Sequence, residues 1–422
     1  MLNESIHYES GVLHCDAVPI PDIAASVGTP VYIYSLKRAL ANLRRIQTAF
    51  ATLQPDIHYS AKANANLAVL RTLVEAGAGI DAVSAGEIHR ALLAGTKAED
   101  IVFAGVGKTP DELAYAREKG VGWINVENVG ELDHINRIAA QRGQRARAAL
   151  RLNPDVTANT HPYIATGHGG AKFGLTAETV GEILARQDDY AHVGIEGIHL
   201  HIGSQLHDTE ATQRAVEIAL ELIAPYPHIQ TVNIGGGLPV AYRPDEVIPT
   251  WESFAETLTP LLKGYKVILE PGRSIIADAG ILVFTALYIK EQAGQRIIIS
   301  DGSMAELIRP ALYQAHHEIV AVDAPHPLTP SPQVARGDKK TLAQVVGPVC
   351  ETADVIGREM PLPEVQPGDL LAALTAGAYG MVMASNYNQR LRPAEVVVEP
   401  DGESWRVARR RETWDDLVRN EV

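Results

Sequence analysis

The sequence predicts an α/β protein in which a (β/α)8 barrel is joined to a second, β-rich domain, and three observations lead there. Eight short apolar runs, at 57–61, 80–84, 101–104, 123–126, 148–152, 197–201, 231–234 and 267–270, alternate with stretches of helical periodicity. Beyond Arg273 the pattern changes to strand-like runs separated by Pro- and Gly-rich turns. The chain of 422 residues is too long for one ordinary core, which suits a large domain of about 250 residues and a smaller companion.

Taken in order, the chain opens with strand-like pieces at 11–13 and 31–34 and then enters the alternation. Thr109 and Pro110 open a helix that Gly120 closes; Asn128 with Glu131 opens another, and Thr176 and Thr209 are expected N-caps. An open doubly wound sheet would place a glycine fingerprint after the first strand, where this chain has Lys62 instead. Past the barrel, strands are expected at 281–290, 296–299, 344–346, 370–374 and 395–398, with a Pro-rich surface loop at 324–332.

Composition narrows the partners. Apolar residues make up 46% and charged ones 21%, as in an ordinary globular protein. The 37 basic and 51 acidic side chains give a net charge of -14 without any basic block, which argues against nucleic acid. The first residues lack the basic start and apolar run of a signal peptide, and no apolar stretch approaches a membrane span, so a cytoplasmic protein with no membrane partner is expected. Two cysteines, Cys15 and Cys350, form neither a disulfide framework nor a metal-ligand spacing, and no metal is expected.

In a barrel the reactive groups gather at the strand C-termini. Here those exits carry Lys62, then Asp81 and Ser84, Arg151 and Asn153, His199, His201 and Ser204, the Gly235-Gly236-Gly237 turn, and finally Glu270 and Arg273. A lysine confined among small apolar neighbours is a candidate nucleophile, against the commoner structural ion pair. The three glycines leave backbone N–H groups open to a phosphate, and Gly272-Arg273 repeat the device after strand eight. His199 and His201 share one strand face, and a flat imidazole opposite a lysine suits an aromatic cofactor ring. Glu270 is a carboxylate suited to a pyridine nitrogen, so the combined parts describe a pyridoxal phosphate site.

The motifs His58-Tyr59-Ser60-Ala61-Lys62-Ala63-Asn64, His201-Ile202-Gly203-Ser204-Gln205, Gly235-Gly236-Gly237 and Glu270-Pro271-Gly272-Arg273 resemble the fold-type III pyridoxal phosphate decarboxylases over nearly the whole chain. The downstream motifs resemble the diaminopimelate decarboxylase family: Arg309-Pro310-Ala311-Leu312-Tyr313 with His316-His317, Gly347-Pro348-Val349-Cys350-Glu351, and Gly377-Ala378-Tyr379-Gly380. The resemblance implies a β-barrel domain formed by residues 1–35 and 275–422 around a cofactor-binding barrel of 36–274. By the same resemblance Lys62 carries the cofactor as a Schiff base, His201 stacks on its ring and Glu270 pairs with its nitrogen. Ser204, Gly235, Gly236, Gly237, Pro271, Gly272 and Arg273 surround the phosphate, with Tyr379 nearby. Arg273, Arg309, Tyr313, Glu351 and Tyr379 are the implied substrate contacts, and Cys350 is the implied proton donor, reaching the active site of the other subunit of a homodimer.

The implied reaction converts meso-2,6-diaminopimelate to L-lysine and carbon dioxide, the last step of lysine biosynthesis. A glutamate at the ring nitrogen favours decarboxylation over the racemisation that an arginine there would favour. An arginine and a glutamate at the far end of the substrate match a second carboxylate and an ammonium, whereas ornithine or lysine presents only an ammonium there. The alternatives are a sibling decarboxylase for carboxynorspermidine or another basic amino acid, a catalytically dead regulatory homologue, and a sugar-phosphate barrel. The chain departs from the commoner family pattern at Ala305 and Glu306, where an Asn-Asp pair is usual, and at His168-Gly169-Gly170 before Lys172-Phe173-Gly174. Both departures bear on the substrate mouth and its lid.

Overall fold

The computed structural model describes residues 1–157, 166–167, 170–323 and 340–422. His168, Gly169 and the Pro-rich run at 324–332 lie outside the described residues. The chain divides into two compact units, one of Asn42–Val240 and Val247–Ser274, the other of Met1–Ala41, Ala241–Glu246 and Ile275–Val422.

In the first unit eight parallel strands close into a barrel in chain order: Asp56–Ser60, Gly79–Ala82, Ile101–Phe103, Trp123–Val126, Ala146–Leu152, Val193–Leu200, Thr231–Asn233 and Lys266–Leu269. The ring closes where Ile268 pairs with Asp56 and Leu269 with Ile57. Each expected apolar run is one of these strands, because a strand buried on both faces has no polar alternation to dilute it. Val102, Trp123, Ala149 and Ile268 pack as one buried cluster, so the barrel is filled rather than hollow.

The helices between strands begin and end where their capping chemistry directs. Thr109 and Glu112 form a reciprocal capping box around Pro110–Lys119, and Gly120 ends that helix in the left-handed conformation at φ 80°. The Asn128 side chain accepts from Glu131 N–H (2.9 Å), and Thr176 accepts from Thr179 N–H (3.2 Å). Thr209 does not behave as expected: it is itself helical and its side chain makes no cap bond. Asp208 takes its place, with Oδ1 accepting from Ala211 N–H at 3.4 Å.

The second unit is β-rich. A nine-stranded mixed sheet runs Val355–Leu362, Thr341–Val346, Gln295–Ser300, Gly280–Gln292, Val31–Ser35, Ala394–Val398, Trp405–Arg409, with Leu370–Ala373 and Ile319–Ala321 joined beside it. Val31–Ser35 is antiparallel to Gly280–Gln292 and parallel to Ala394–Val398, so early and late parts of the chain share one sheet. Ile6, Leu13, Ile33, Ile281, Val283, Leu374 and Val396 belong to its buried core. All five strands expected after the barrel are present; Val355–Leu362, Trp405–Arg409, Ile319–Ala321 and the antiparallel Ile6–Glu9 and Val18–Pro19 were not foreseen. Among the described residues, no helix is long and apolar enough to cross a membrane.

Candidate active site

Strand one ends in the turn Ala61–Ala63, which carries Lys62 at its centre. The lysine Nζ donates to Asp81 Oδ2 at 2.9 Å; its side chain is 35% exposed while that of Asp81 is fully buried. Register explains the pairing, because Ser60 stands opposite Asp81 on the neighbouring strand. Ser60 Oγ lies 2.7 Å from the same Oδ2 and 3.0 Å from the Glu270 carbonyl, joining strands one, two and eight at one end of the barrel. Asp81 Oδ1, also buried, has no hydrogen-bond partner among the described residues.

Glu270, buried just past strand eight, accepts from three side chains. Asn233 Nδ2 reaches Oε1 at 2.6 Å and Asn125 Nδ2 reaches it at 3.1 Å, while His199 Nε2 lies 3.2 Å from Oε2. Burial pushes this carboxyl up, but the neighbouring His199 with its hydrogen bond, the Lys62 charge and the Asn233 bond outweigh it and hold Glu270 well below the usual carboxylate range. It is a carboxylate at neutral pH. His199 Nδ1 is buried without a partner among the described residues.

The glycine turn stands beside them. Gly235 and Gly237 have φ of 67° and 105°, and a Cβ on Gly236 would lie 2.5 Å from the Glu270 carbonyl oxygen. Gly236 N–H donates to His201 Nδ1 at 3.2 Å, which makes that ring nitrogen an acceptor and the imidazole neutral. Burial, then the electrostatic influence of the neighbouring Lys62, Arg151 and His199, pushes His201 well below its ordinary pKa. On the other side of the turn Arg273 Nε donates to Ser204 Oγ at 3.1 Å, the Pro271 carbonyl accepts from Ser60 N–H at 3.1 Å, and a Cβ on Gly272 would meet Ser60 Cβ at 2.9 Å. The barrel exits thus unite Lys62, His201, Ser204, Gly235, Gly236, Gly237, Glu270, Pro271, Gly272 and Arg273 in one unit.

Other exit residues turn out to be scaffolding. Ser84 caps the next helix by accepting from Glu87 N–H (3.2 Å), and Asn153 Nδ2 donates to the Phe173 carbonyl (3.1 Å). Arg151 bonds Glu127, whose second oxygen accepts from Gly174 N–H at 2.9 Å, and lies over the Phe173 ring at 4.7 Å. Asn125, Asn233 and Glu127 escaped the sequence reading. An amide or carboxylate inside or just past an apolar strand carries no local signal of what it faces across the barrel.

The other unit holds the remaining expected residues. Arg309 begins the short helix Arg309–Tyr313 and is buried; its Nη1 donates to His317 Nε2 at 2.8 Å and its guanidinium lies 4.7 Å over the Tyr242 ring. His317 Nδ1 donates to the Leu374 carbonyl at 2.9 Å, so this imidazole is neutral, and burial followed by the Arg309 charge pushes its pKa well down. Tyr313 is half-buried, as is Tyr379 at φ 56°. Cys350 is an exposed free thiol whose backbone N–H donates to Asn388 Oδ1 at 3.0 Å, and the exposed Glu351 accepts from the Tyr387 hydroxyl. The turn Tyr387–Gln389, unmarked in the sequence reading, therefore organises both. Glu306 is buried and accepts from Ser303 Oγ at 2.5 Å, so this departure from the family pattern is part of the unit's interior. Among the described residues no group of three or more His, Cys, Asp or Glu side chains is placed to hold a metal.

Comparison with known proteins gives a consistent picture. Residues 36–277 match the family model described as pyridoxal-dependent decarboxylase, pyridoxal binding domain. The chain is 41% identical to the diaminopimelate decarboxylase of Pseudomonas aeruginosa, covering 99% of each chain. It is 40% identical to that of Zymomonas mobilis, covering 98% of this chain and 97% of the relative. Among solved structures, the diaminopimelate decarboxylase of M. jannaschii in co-complex with L-lysine superposes with a TM-score of 0.91 at 34% identity, covering 100% of this chain and 99% of the other.

Proposed function

The chain belongs to the diaminopimelate decarboxylase family of pyridoxal-dependent decarboxylases, and on that premise we propose that it converts meso-2,6-diaminopimelate to L-lysine and carbon dioxide as a pyridoxal phosphate-dependent carboxy-lyase, closing lysine biosynthesis. The observation that carries the reading is the meeting of Lys62, Glu270 and the glycine turn at the barrel exits.

The residues present fit the cofactor. A phosphate dianion needs hydrogen-bond donors and a cation, and Gly235, Gly236, Gly237, Gly272, Ser204 and Arg273 are assigned to surround it. Because the Gly235 and Gly236 N–H groups already donate to Asn233 and His201, these two serve by shaping the turn, and Gly237, Gly272, Ser204 and Arg273 are the assigned donors. Lys62 would be the covalent anchor, Glu270 the partner of the ring nitrogen, His201 the flat neutral contact and Pro271 part of the surround, with Tyr379 assigned to it on the family resemblance. When bound, the cofactor takes up the electron pair released as the carboxylate leaves. Asp81 holds the Lys62 ammonium in place, and ionised Glu270 favours a proton on the ring nitrogen.

Arg273, Arg309, Tyr313, Glu351 and Tyr379 are assigned to the substrate. Arg309 is fixed by His317 and Tyr242, which suits a guanidinium that reads a carboxylate. Glu351 offers the negative charge that an ammonium needs. Cys350 delivers a proton to the carbon that lost its carboxylate, and its exposure supports delivery into the site of the partner subunit in a homodimer. An exposed thiol that must stay a thiol also favours the reducing cytoplasm.

The test is carbon dioxide release from protein supplied with pyridoxal phosphate and, separately, meso-diaminopimelate, carboxynorspermidine, L-lysine, L-ornithine or L-arginine. Release from meso-diaminopimelate alone is expected. Faster turnover of any of the others would assign the chain to a sibling decarboxylase.

A further inference from the structure

Asn233 is buried at the end of strand seven, and its amide works in two directions. Its Oδ1 accepts from Gly235 N–H at 2.9 Å, and its Nδ2 donates to Glu270 Oε1 at 2.6 Å. A backbone bond runs alongside, from Glu270 N–H to the Gly235 carbonyl at 2.7 Å. Asn125, buried at strand four, donates to the same Oε1 at 3.1 Å. Its own backbone is anchored from behind: Lys108 Nζ donates to the Asn125 carbonyl at 2.7 Å, to the Gly105 carbonyl at 2.8 Å and to Glu131 at 2.6 Å.

We propose that Asn233, assisted by Asn125, is a positioning residue that ties Glu270 to the glycine turn and keeps it ionised, fixing the two ends of the cofactor site relative to each other. A neutral amide presents an acceptor and a donor from one planar head without taking on charge. Leucine at 233 would have nearly the same shape but would offer neither the acceptor for Gly235 nor the donor to Oε1. Oε1 would then keep only the Asn125 donor, which weakens the preference for the carboxylate and unties Glu270 from the turn. Two N–H donors on Oε1 favour the carboxylate over the acid and leave Oε2 to His199 and to the ring N–H. Among the described residues, Lys62 and His58 from the strand-one segment and His201 from the strand-six exit also act electrostatically on Glu270.

The proposal rests on the reading of Glu270 as the partner of the ring nitrogen, and the experiment separates the two. Wild type, Asn233→Leu, Asn125→Ala and Glu270→Gln are loaded with pyridoxal phosphate isotopically labelled at the ring nitrogen. The nuclear magnetic resonance shift of that nitrogen is recorded together with cofactor affinity, kcat and KM. Asn233→Leu is expected to move the resonance toward the unprotonated ring and to lower kcat about ten- to a hundredfold with KM changed less than about threefold. Asn125→Ala should move both in the same direction by less, and it carries the test should Asn233→Leu not fold. Wild-type resonances in both asparagine variants beside a shifted Glu270→Gln would overturn the proposal. An unshifted Glu270→Gln would overturn the reading of Glu270, and the proposal with it.

Discussion

The barrel exits and the turn that carries Cys350 are built in opposite ways. At the exits Lys62, Asp81, Ser60, Glu270, Asn233 and His199 form a bonded set drawn from five strand ends, mostly buried. On the other unit Cys350 and Glu351 stand exposed on a loop, steadied by Asn388 and Tyr387. A cofactor that stays in place rewards a rigid, satisfied pocket, whereas groups that meet a transient substrate, or a neighbouring subunit, must remain open. Substitutions in the first region should therefore damage cofactor and chemistry together, and those in the second should spare the cofactor.

The largest effect expected is at Lys62. Lys62→Ala should lower decarboxylation by about four orders of magnitude or more, since the covalent anchor is lost. Reduction with borohydride should fix the cofactor to the Lys62 peptide of the wild type alone. Attachment anywhere else would break the comparison at its root.

Arg309→Ala should be next. Removing one partner of a desolvated carboxylate costs about 2–5 kcal/mol, hence roughly one and a half to four decades in kcat/KM for meso-diaminopimelate. Cofactor affinity should hardly change, and equal losses of both would erase the contrast between the regions.

Gly236→Ala sharpens the other side. The added Cβ meets a backbone carbonyl at 2.5 Å, which cannot swing away. Titration of cofactor-free protein with pyridoxal phosphate should show affinity weakened by about 1–3 kcal/mol. Wild-type affinity would mean the turn is not the cradle.

The smallest effect concerns pH. His317 is held neutral by burial and Arg309, well below the value near 6.5 that it regains on unfolding. Above that value neither state binds the proton and nothing changes. As pH falls below it the unfolded chain takes up a proton that the native state refuses, so stability drops by about 1.4 kcal/mol per unit for this residue. Urea unfolding at pH 7 and pH 5 should show a shallower loss in His317→Gln than in wild type.

How much of this was legible in the sequence depends on how many neighbours an element has. The eight barrel strands are flanked on both sides, and each left a readable apolar run. The unforeseen Val355–Leu362 and Trp405–Arg409 are the two ends of the sheet, where one side lacks a strand and residues such as Arg358, Glu359, Pro361 and Arg406 are tolerated. In the site, Lys62 and Glu270 were legible because each sits in a recognisable run, His58–Asn64 and Glu270–Arg273, whereas Glu127, as ionisable and as close behind its strand, has no such company. The pairing of Lys62 with Asp81 depends on the register of strands one and two, that of Glu270 with Asn233 on the register of strands seven and eight, and that of Glu270 with Asn125 on closure of the ring, none of which any local window contains.

The proposal that the open region serves the partner subunit's pocket has one direct test. Lys62→Ala and Cys350→Ala proteins, each nearly inactive alone, are refolded together in equal amounts and assayed for carbon dioxide release from meso-diaminopimelate. With random exchange about half the dimers are mixed and each has one complete site, so activity should return to about a quarter of wild type. If subunit exchange is verified and no activity returns, Lys62 and Cys350 act within the same chain, and the divided site is contradicted.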